Sequence, residues 1–153
     1  MPPEITKTEP LNIVTGTKGD LSQVQVLLSS NDLPSSDLTP AHMENFLLQW
    51  HGDELVGCVG LELYGQSGLL RSLAVFVLHR NQGYGAHLVS QVEDLARRQG
   101  VESICLLTTT ATAFFISHGY RTTNRRSAPA PLQESTEFQS LCPDSAVCMV
   151  KAL

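Results

Sequence analysis

The segment from Leu69 to Gly85, LLRSLAVFVLHRNQGYG, constrains the fold of this chain more than any other. An apolar run ends at Leu78, and the hexapeptide RNQGYG (residues 80–85) separates it from a stretch with helical periodicity. The first turn of a helix carries backbone N–H groups without intrahelical partners, and the helix dipole adds partial positive charge there. Glycines let the backbone approach a ligand closely. The segment therefore predicts a strand, a loop and a helix start that bind a pyrophosphate.

Length and composition predict one globular domain. A chain of 153 residues with 42% hydrophobic and 16% charged residues can bury a core of its own. Residues 1–10 are predicted to be a loose end, and residues 11–153 a single domain. We find no internal repeat and no low-complexity tract.

Charge and cysteine usage exclude several classes of function. A formal net charge of −5 argues against nucleic acid as the main partner. No apolar run approaches membrane-spanning length, and the N-terminus lacks the apolar core of a signal peptide. The cysteines lack metal-like spacing and are predicted to be reduced, so we expect no metal site. The expectation is a cytoplasmic protein without a membrane or nucleic-acid partner.

The remaining chain is predicted to form further strands and helices. Apolar runs between turn residues predict strands over Leu11–Thr15, Asn45–His51, Glu54–Tyr64, Leu69–Leu78, Ser103–Leu107, Tyr120–Asn124 and Val147–Leu153. Helical spacing predicts one helix from Asp20 to a point before Pro34, a second from the glycine loop to Gly100, and a third over Thr112–His118. We expect Ser35–Met43 to be loop or short helix, and Arg125–Ser135 to be loop.

This order of elements resembles the GNAT superfamily of acetyl-CoA-dependent N-acetyltransferases. The hexapeptide matches the family's pyrophosphate motif, and Phe114-Phe115 followed by Gly119-Tyr120 resembles a second family segment. The resemblance covers Asn45 to Asn124. It implies acetyl-CoA as co-substrate and an α+β fold, a mixed and mostly antiparallel sheet flanked by helices on both faces. It also implies a set of residues that bind the cofactor: Leu73, Ala74, Val75, Arg80, Asn81, Gln82, Gly83, Tyr84, Gly85 and Ala86.

Two other phosphate-binding loops fit the glycines less well. A dinucleotide-binding fingerprint needs a third glycine, and that position holds Leu88. A kinase-type phosphate loop needs a Gly-Lys-Ser/Thr ending, which is absent from the sequence. The glycines could also serve only a tight turn. A narrower resemblance links the chain to a GNAT branch found near arsenic-resistance genes, through LLRSLAV, LLTTTA and Glu137-Phe138.

The resemblance assigns the pantetheine arm of the cofactor to strand backbone. In GNAT proteins the strand before the glycine loop splays from its parallel neighbour, which here is predicted at Ser103–Leu107. The arm would enter the gap and pair with the backbone of Leu73, Ala74 and Val75. Their side chains can then be ordinary core.

The chain departs from the family at the position of the usual acid. In many GNAT enzymes a tyrosine protonates the departing thiolate, and the matching residue here is Phe115. Phenylalanine cannot donate a proton. Ser117, His118 and Tyr120 are nearby candidates, and slow turnover without an acid is also conceivable because thiolate is a tolerable leaving group.

Turn geometry points to an acceptor site. A hairpin symmetric about Gln66-Ser67 would place Glu62 directly opposite Arg71, with Tyr64 on the same sheet face. The simplest interpretation is a cross-strand ion pair of a few tenths of a kcal/mol. The functional interpretation is that Arg71 binds a substrate carboxylate or oxyanion and Glu62 acts as the base. His79 is a weaker candidate for this acceptor site, because it is predicted to lie beside the glycine loop.

We therefore expect an N-acetyltransferase that moves the acetyl group of acetyl-CoA to the amine of a small molecule. An amino acid or a toxic amino-acid analogue is one candidate acceptor, and a cationic amine is tolerated as well. Two alternatives stay open: an acyl-CoA-binding regulatory module without turnover, and a protein N-acetyltransferase. A homodimer is left open.

Overall fold

The structure, a computed structural model, describes residues 12–153 apart from the side chains of residues 140 and 141. The predicted loose end over residues 1–10, and Leu11 of the first predicted strand, lie outside the described residues. A single seven-stranded sheet dominates the described part, in the order β1-β2-β3-β4-β5-β7-β6. Its strands are β1 (Asn12–Thr15), β2 (Phe46–His51), β3 (Glu54–Tyr64), β4 (Ser67–Val75), β5 (Ser103–Thr108), β6 (Arg121–Thr123) and β7 (Val147–Ala152).

The helices connect these strands on the two faces of the sheet. They are α1 (Leu21–Ser30), α2 (Tyr84–Arg98), α3 (Thr112–Ser117) and α4 (Ala130–Gln133). Shorter 3-10 helices cover Lys18–Asp20, Pro40–Asn45, Val77–His79 and Arg125–Ser127, and a π-helical turn covers Glu137–Leu141. The segment predicted as loop over Arg125–Ser135 thus contains a 3-10 helix and α4, because Pro129 and Pro131 suit the start of a helix.

The pairing of the strands matches the predicted fold class. Among the described strands, β4 and β5 pair in parallel and every other neighbouring pair is antiparallel. Side chains alternate between faces along a strand. Leu70 packs with α2 in one core cluster, whereas its neighbour Leu69 packs with Leu132 of α4 on the opposite face. Helices therefore cover both faces, and the predicted mixed sheet is confirmed.

The second face is divided between two segments. Helix α1 packs its buried residues Val24, Leu27 and Leu28 against β2 and β3. The chain from α4 to the π-helical turn covers β4, β5 and β7 through Leu132 and Phe138. The middle of β4 lies at the boundary between these two clusters. A polar side chain there can be buried without interrupting either core.

Strand β4 carries a bulge at the point where it leaves β5. Arg71 pairs with Gly60 and Ala74 pairs with Cys58, so β4 has one residue more than β3 over this interval. Ser72 lies at the bulge with a φ of 60°. A bulge bends its strand and increases the local twist. The pairing of β4 with β5 covers only Ser67–Leu69, so the two strands diverge beyond that point, and the predicted splay is confirmed.

Two predicted boundaries in this region are wrong. The strand predicted to reach Leu78 ends at Val75, because Val77 and Leu78 form an exposed 3-10 turn. The hairpin turn is centred on Gly65-Gln66, where Gly65 has a φ of 68°, and Tyr64 pairs with Ser67. Glu62 therefore pairs with Leu69 rather than with Arg71.

Candidate active site

The glycine loop leads into α2 as its sequence predicts. Gly83 is the N-cap residue of this 15-residue helix and has a φ of 83°, a conformation that a side chain would strain. A Cβ at Gly83 would meet no atom within 4 Å, so the space in front of the helix start is open. A Cβ at Gly85 would lie 3.5 Å from the Phe114 ring. The loop therefore offers backbone donors to an anion at the start of a long helix.

The side chains of the loop serve other contacts. Arg80 donates from Nε to the Val75 carbonyl at 3.2 Å, and its guanidinium also bonds the Asn31 side chain. Tyr84 is buried, with its ring stacked on His79 at 5.8 Å between centroids. These contacts tie the loop to the end of β4 and to α1. Asn81 and Gln82 are exposed beside it.

A cleft of about 1060 Å³ opens where β4 and β5 diverge. Its walls include Leu70–Leu73 of β4, Leu106–Thr108 of β5 and Phe115 of α3. Arg80 and Asn31 line it near the glycine loop, and Glu137 and Cys142 line it at the C-terminal segment. Of the predicted pantetheine-binding positions, Leu73 lines the cleft, while Ala74 is buried against β3.

Arg71 lies at the centre of a cluster of three carboxylates. Its Nη1 donates to Asp37 at 2.6 Å and to Glu62 at 2.7 Å, and its Nη2 donates to Asp37 at 2.8 Å. Its Nε donates to the Ser72 hydroxyl at 3.0 Å and lies 3.4 Å from a carboxylate oxygen of Glu137. The Arg71 side chain is 0% exposed. Protein groups therefore already occupy most of its donors.

The two predicted acceptor-site residues do meet, although not in the predicted register. The observed register differs from the predicted one by two residues: Glu62 pairs with Leu69, and Arg71 pairs with Gly60. A shift of two residues keeps side chains on the same face, so Glu62 and Arg71 are diagonal neighbours. The second oxygen of Glu62 accepts from the Tyr64 hydroxyl at 2.5 Å. Because Arg71 is buried, this pair is not the weak exposed ion pair of the simplest interpretation, and removal of either partner would leave a charge without its partner. The catalytic roles of Glu62 and Arg71 stay predictions.

Sequence reasoning missed two members of this cluster. Asp37 lies on the irregular segment between α1 and β2, and Glu137 lies on the π-helical turn. Neither segment has a hydrophobic period from which a face could be assigned. The available signal was indirect, since an arginine inside an apolar strand needs acidic partners from elsewhere in the chain.

Electrostatics differ strongly between the carboxylates of the cluster. Burial acts to raise the pKa of Asp37, but the hydrogen bonds and charge of Arg71 reverse the effect and hold the pKa below its usual value. Burial raises the pKa of Glu137 to about 7; the Arg71 charge opposes this rise, and the charges of Glu62 and Asp37 add to it. Asp37 is thus ionised at neutral pH, whereas Glu137 exchanges a proton there.

A second, smaller cavity lies on the outer side of Arg71. It measures about 420 Å³ and is lined by Asp37, His42, Glu62 and Tyr64, together with residues of the C-terminal segment. Ligand-type atoms of Asp37, His42 and Glu62 lie within 4.8 Å of one another. Because both carboxylates already bind Arg71, we assign no metal to this group.

The cleft side of α3 carries a phenyl ring at Phe115, the position where the resemblance stated above implies a tyrosine acid. Phe115 is buried, lines the cleft and packs edge-on against Tyr120 at 5.5 Å between centroids. The Tyr120 hydroxyl donates to Glu93 at 2.9 Å, which directs it into a buried network with Lys151. Ser117 donates to the Phe114 carbonyl. The hydroxyls of these two alternative candidates are therefore committed to contacts outside the cleft.

The splayed parallel strands and the glycine loop together define an acetyltransferase type of fold. The model of the acetyltransferase (GNAT) family matches residues 23–120. The chain therefore belongs to the GNAT acetyltransferase family. An uncharacterised N-acetyltransferase of Chlorobaculum tepidum is 28% identical over 117 residues, which cover 73% of each chain.

Other similarities concern amino-acid acetyltransferases. The amino-acid acetyltransferase of Neisseria meningitidis is 28% identical over 90 residues, 58% of this chain but only 21% of that protein. Among solved structures, N-acetylglutamate synthase from Neisseria gonorrhoeae, complexed with coenzyme A and N-acetyl-glutamate, superposes with a TM-score of 0.82 at 22% identity. The match covers 95% of this chain and 35% of the synthase. The chain thus spans about a fifth to a third of the length of these relatives.

Another similarity covers a whole protein of comparable size. A Mycobacterium tuberculosis protein in complex with CoA and NLQ has a TM-score of 0.78 at 19% identity, over 93% of this chain and 99% of that one. These structural matches show the same fold. Among residues 12–153, no helix combines the length and the apolar character needed to span a membrane.

Proposed function

We propose that this chain transfers the acetyl group of acetyl-CoA to the amine of a small molecule. The observation that supports this most directly is the continuity of the cleft, which runs from the glycine loop through the gap between β4 and β5 to the Arg71 cluster. The two ends of the cleft differ in charge and in the groups they offer. Such a cleft suits a long cofactor at one end and a small acceptor at the other.

The cofactor half of the proposal rests on backbone atoms. The N–H groups at the start of α2, from Gly83 to Ala86, would bind the pyrophosphate of acetyl-CoA with the help of the helix dipole. The backbone of Leu73, Ala74 and Val75 would pair with the pantetheine arm. Coenzyme A is bound in the Neisseria gonorrhoeae and Mycobacterium tuberculosis structures that share this fold, which supports the assignment.

The acceptor half must make the amine neutral and stabilise the tetrahedral intermediate. The sequence predicts Glu62 as the base and Arg71 as the anchor of an acceptor carboxylate, and both roles stay predictions. The weak similarity to amino-acid acetyltransferases favours an amino acid, or an analogue of one, and the acidic chain is equally compatible with a cationic amine. A carboxylate can reach Arg71 only by replacing an internal partner, since its donors are largely occupied.

The experiment that tests this proposal combines cofactor binding with turnover. Acetyl-CoA should raise the melting temperature of the chain, because it binds only the folded state. Release of free thiol should then depend on an added small amine. Absence of any stabilisation by acetyl-CoA would contradict the cofactor assignment, whereas stabilisation without thiol release across a broad amine panel would contradict the transferase.

A regulatory module without turnover is the second candidate function. The observation that favours it is the phenyl ring of Phe115 in the cleft, since the Tyr120 hydroxyl is directed to Glu93. Binding of acetyl-CoA without thiol release would support this alternative. The link to arsenic-resistance genes stays a prediction from the sequence.

A further inference from the structure

Only one of the three carboxylates around Arg71 lines the main cleft. Asp37 and Glu62 line the outer cavity, whereas Glu137 lines the cleft together with Phe115 and the diverging part of β4. Glu137 and Arg71 are both buried, at 5% and 2% relative exposure. Glu137 is therefore the carboxylate positioned beside the space where an acceptor would lie.

The hydrogen bonds of Glu137 leave it with unused acceptor capacity. One oxygen lies 3.4 Å from Arg71 Nε, which donates instead to Ser72. Among the side chains that the structure describes, the other oxygen accepts only a long contact from the Cys142 thiol, at 3.8 Å. A carboxylate can accept about four hydrogen bonds. The geometry thus leaves room for an N–H donor from the cleft.

The charges at this end of the cleft favour a cation. One guanidinium faces three carboxylates, and its donors are bound to Asp37, Glu62 and Ser72. The other charged residues that line the cleft are Arg80 and Asp32, which lie beside the glycine loop and the end of α1. A carboxylate on the acceptor would be repelled by these carboxylates, and the donors of Arg71 are already bound to other groups.

We propose that Glu137 binds the ammonium group of the acceptor and takes its proton, and that the cleft accepts cationic amines in preference to amino acids. This inference rests on the acetyl transfer proposed above and names its base and its substrate class. It replaces Glu62 as the base because Glu62 faces the outer cavity. The Glu137 carboxyl, with a pKa near 7, can exchange that proton at neutral pH.

The step balances without any further reactant. Glu137 takes one proton from the ammonium, and the freed electron pair of nitrogen forms a bond to the thioester carbonyl carbon. The C–S bond then breaks with its electron pair on sulfur. The second proton of the nitrogen neutralises the thiolate, which gives the amide and the CoA thiol, and Glu137 returns its proton to solvent.

Three acceptors of equal chain length test the substrate class. 1,4-Diaminobutane, n-butylamine and 4-aminobutyrate each present a primary amine at one end of a four-carbon chain. Their far ends are cationic (a second amine in 1,4-diaminobutane), neutral and anionic, respectively. We expect kcat/KM, measured by thiol release from acetyl-CoA, to fall in that order, with at least about tenfold between the first and the last. A preference for 4-aminobutyrate would overturn the proposed selectivity.

The role of Glu137 is tested by matched glutamine variants. Glu137→Gln should lower kcat/KM for 1,4-diaminobutane by about 10²–10⁴-fold near pH 7, and the deficit should shrink at higher pH as free amine becomes available. Glu134→Gln removes an exposed carboxylate three residues away and should leave kcat/KM unchanged. Equal activity of these two variants, or a pH-dependent loss in Glu62→Gln alone, would overturn the assignment to Glu137.

A binding measurement decides the case where none of the three amines is acetylated. The infrared difference between wild type and Glu137→Gln should show a carboxyl band that titrates near neutral pH. Added 1,4-diaminobutane should move this titration to lower pH, because a bound ammonium stabilises the carboxylate, and 4-aminobutyrate should not. A titration that neither amine moves would overturn the inference. Failure of the transfer itself would show separately, as absent thiol release with the titration shift intact.

Discussion

The cofactor half and the acceptor half of the cleft are built on different principles. The cofactor half consists of consecutive residues, from the end of β4 through the glycine loop to the first turn of α2. The atoms it would offer are backbone groups. The acceptor half consists of Arg71 and three carboxylates that come from a neighbouring strand and two distant segments, at the boundary between two core clusters.

This difference decides how each half responds to substitution. A backbone site changes only when a new side chain fills its space or distorts its turn. A buried charge cluster loses stability as soon as one member is removed, because the remaining charges are left without partners. The cofactor half should therefore separate binding from stability, whereas the acceptor half should couple the two.

The largest expected effect is on the stability of the acceptor half. Arg71→Met should lower the free energy of unfolding by about 3–5 kcal/mol at pH 7, because three buried or half-buried carboxylates lose their shared cation. Arg97→Met is the matched control: Arg97 pairs with Asp94 at 3.0 Å with about half of each side chain exposed, so the cost should stay under about 1 kcal/mol. Urea unfolding measures both, and equal costs would show that water already hydrates the Arg71 cluster.

The next effect concerns binding alone, in the cofactor half. Acetyl-CoA at a hundredfold excess over its Kd should stabilise the wild type by about 2.7 kcal/mol, and Gly85→Glu should abolish this through bulk and like charge. Gly19→Glu places the same side chain where a Cβ meets no atom within 4 Å, far along the chain from the loop. Thermal shifts with and without acetyl-CoA measure the effect. If Gly85→Glu kept the full stabilisation, the pyrophosphate would not bind at this loop.

The same contrast explains what the sequence could and could not predict. The glycine loop and the helix after it follow from local composition, and the fold was implied by the resemblance of the element order and motifs to the GNAT superfamily. The end of β4 was misplaced because Val77 and Leu78 are apolar yet 59% and 75% exposed. Apolar character alone does not distinguish a buried strand from an exposed turn.

In the acceptor half, Glu62 and Arg71 could be predicted from the sequence, whereas Asp37 and Glu137 could not, and the reason is geometric. Side chains alternate between faces along a strand, so a register error of two residues keeps Glu62 and Arg71 on one face, whereas an error of one would have separated them. Asp37 and Glu137 reach Arg71 from irregular segments, where no periodicity exists to indicate a face. Their contact depends on tertiary packing, which a single sequence does not encode locally.

A smaller effect, spread over pH, tests the charge of the acceptor half. The pKa of Glu137 is raised in the folded chain from an ordinary value of 4.5 to about 7, so the folded state holds this proton more tightly than the unfolded state. Its contribution to stability is complete below pH 4.5 and is lost as the pH rises to about 7, with a slope of at most about 1.4 kcal/mol per pH unit. In Glu137→Gln this part of the stability curve should flatten. Urea unfolding of the wild type and of Glu137→Gln across this pH range measures the effect. Parallel plots of stability against pH for the two proteins would refute the raised pKa.

The smallest expected effect lies where the two halves meet, at Phe115. Phe115→Tyr adds one hydroxyl to a ring that lines the cleft. We expect stabilisation by acetyl-CoA to stay unchanged. Turnover should equal that of the wild type or exceed it by up to about tenfold, because a phenol beside the sulfur could protonate the thiolate. If the hydroxyl instead points into the core against Tyr120, it is buried without a partner and should cost about 1–3 kcal/mol of stability. A loss of acetyl-CoA binding would contradict the alignment of α3 with the family segment, because Phe115 would then pack against the cofactor path and not face the reacting sulfur.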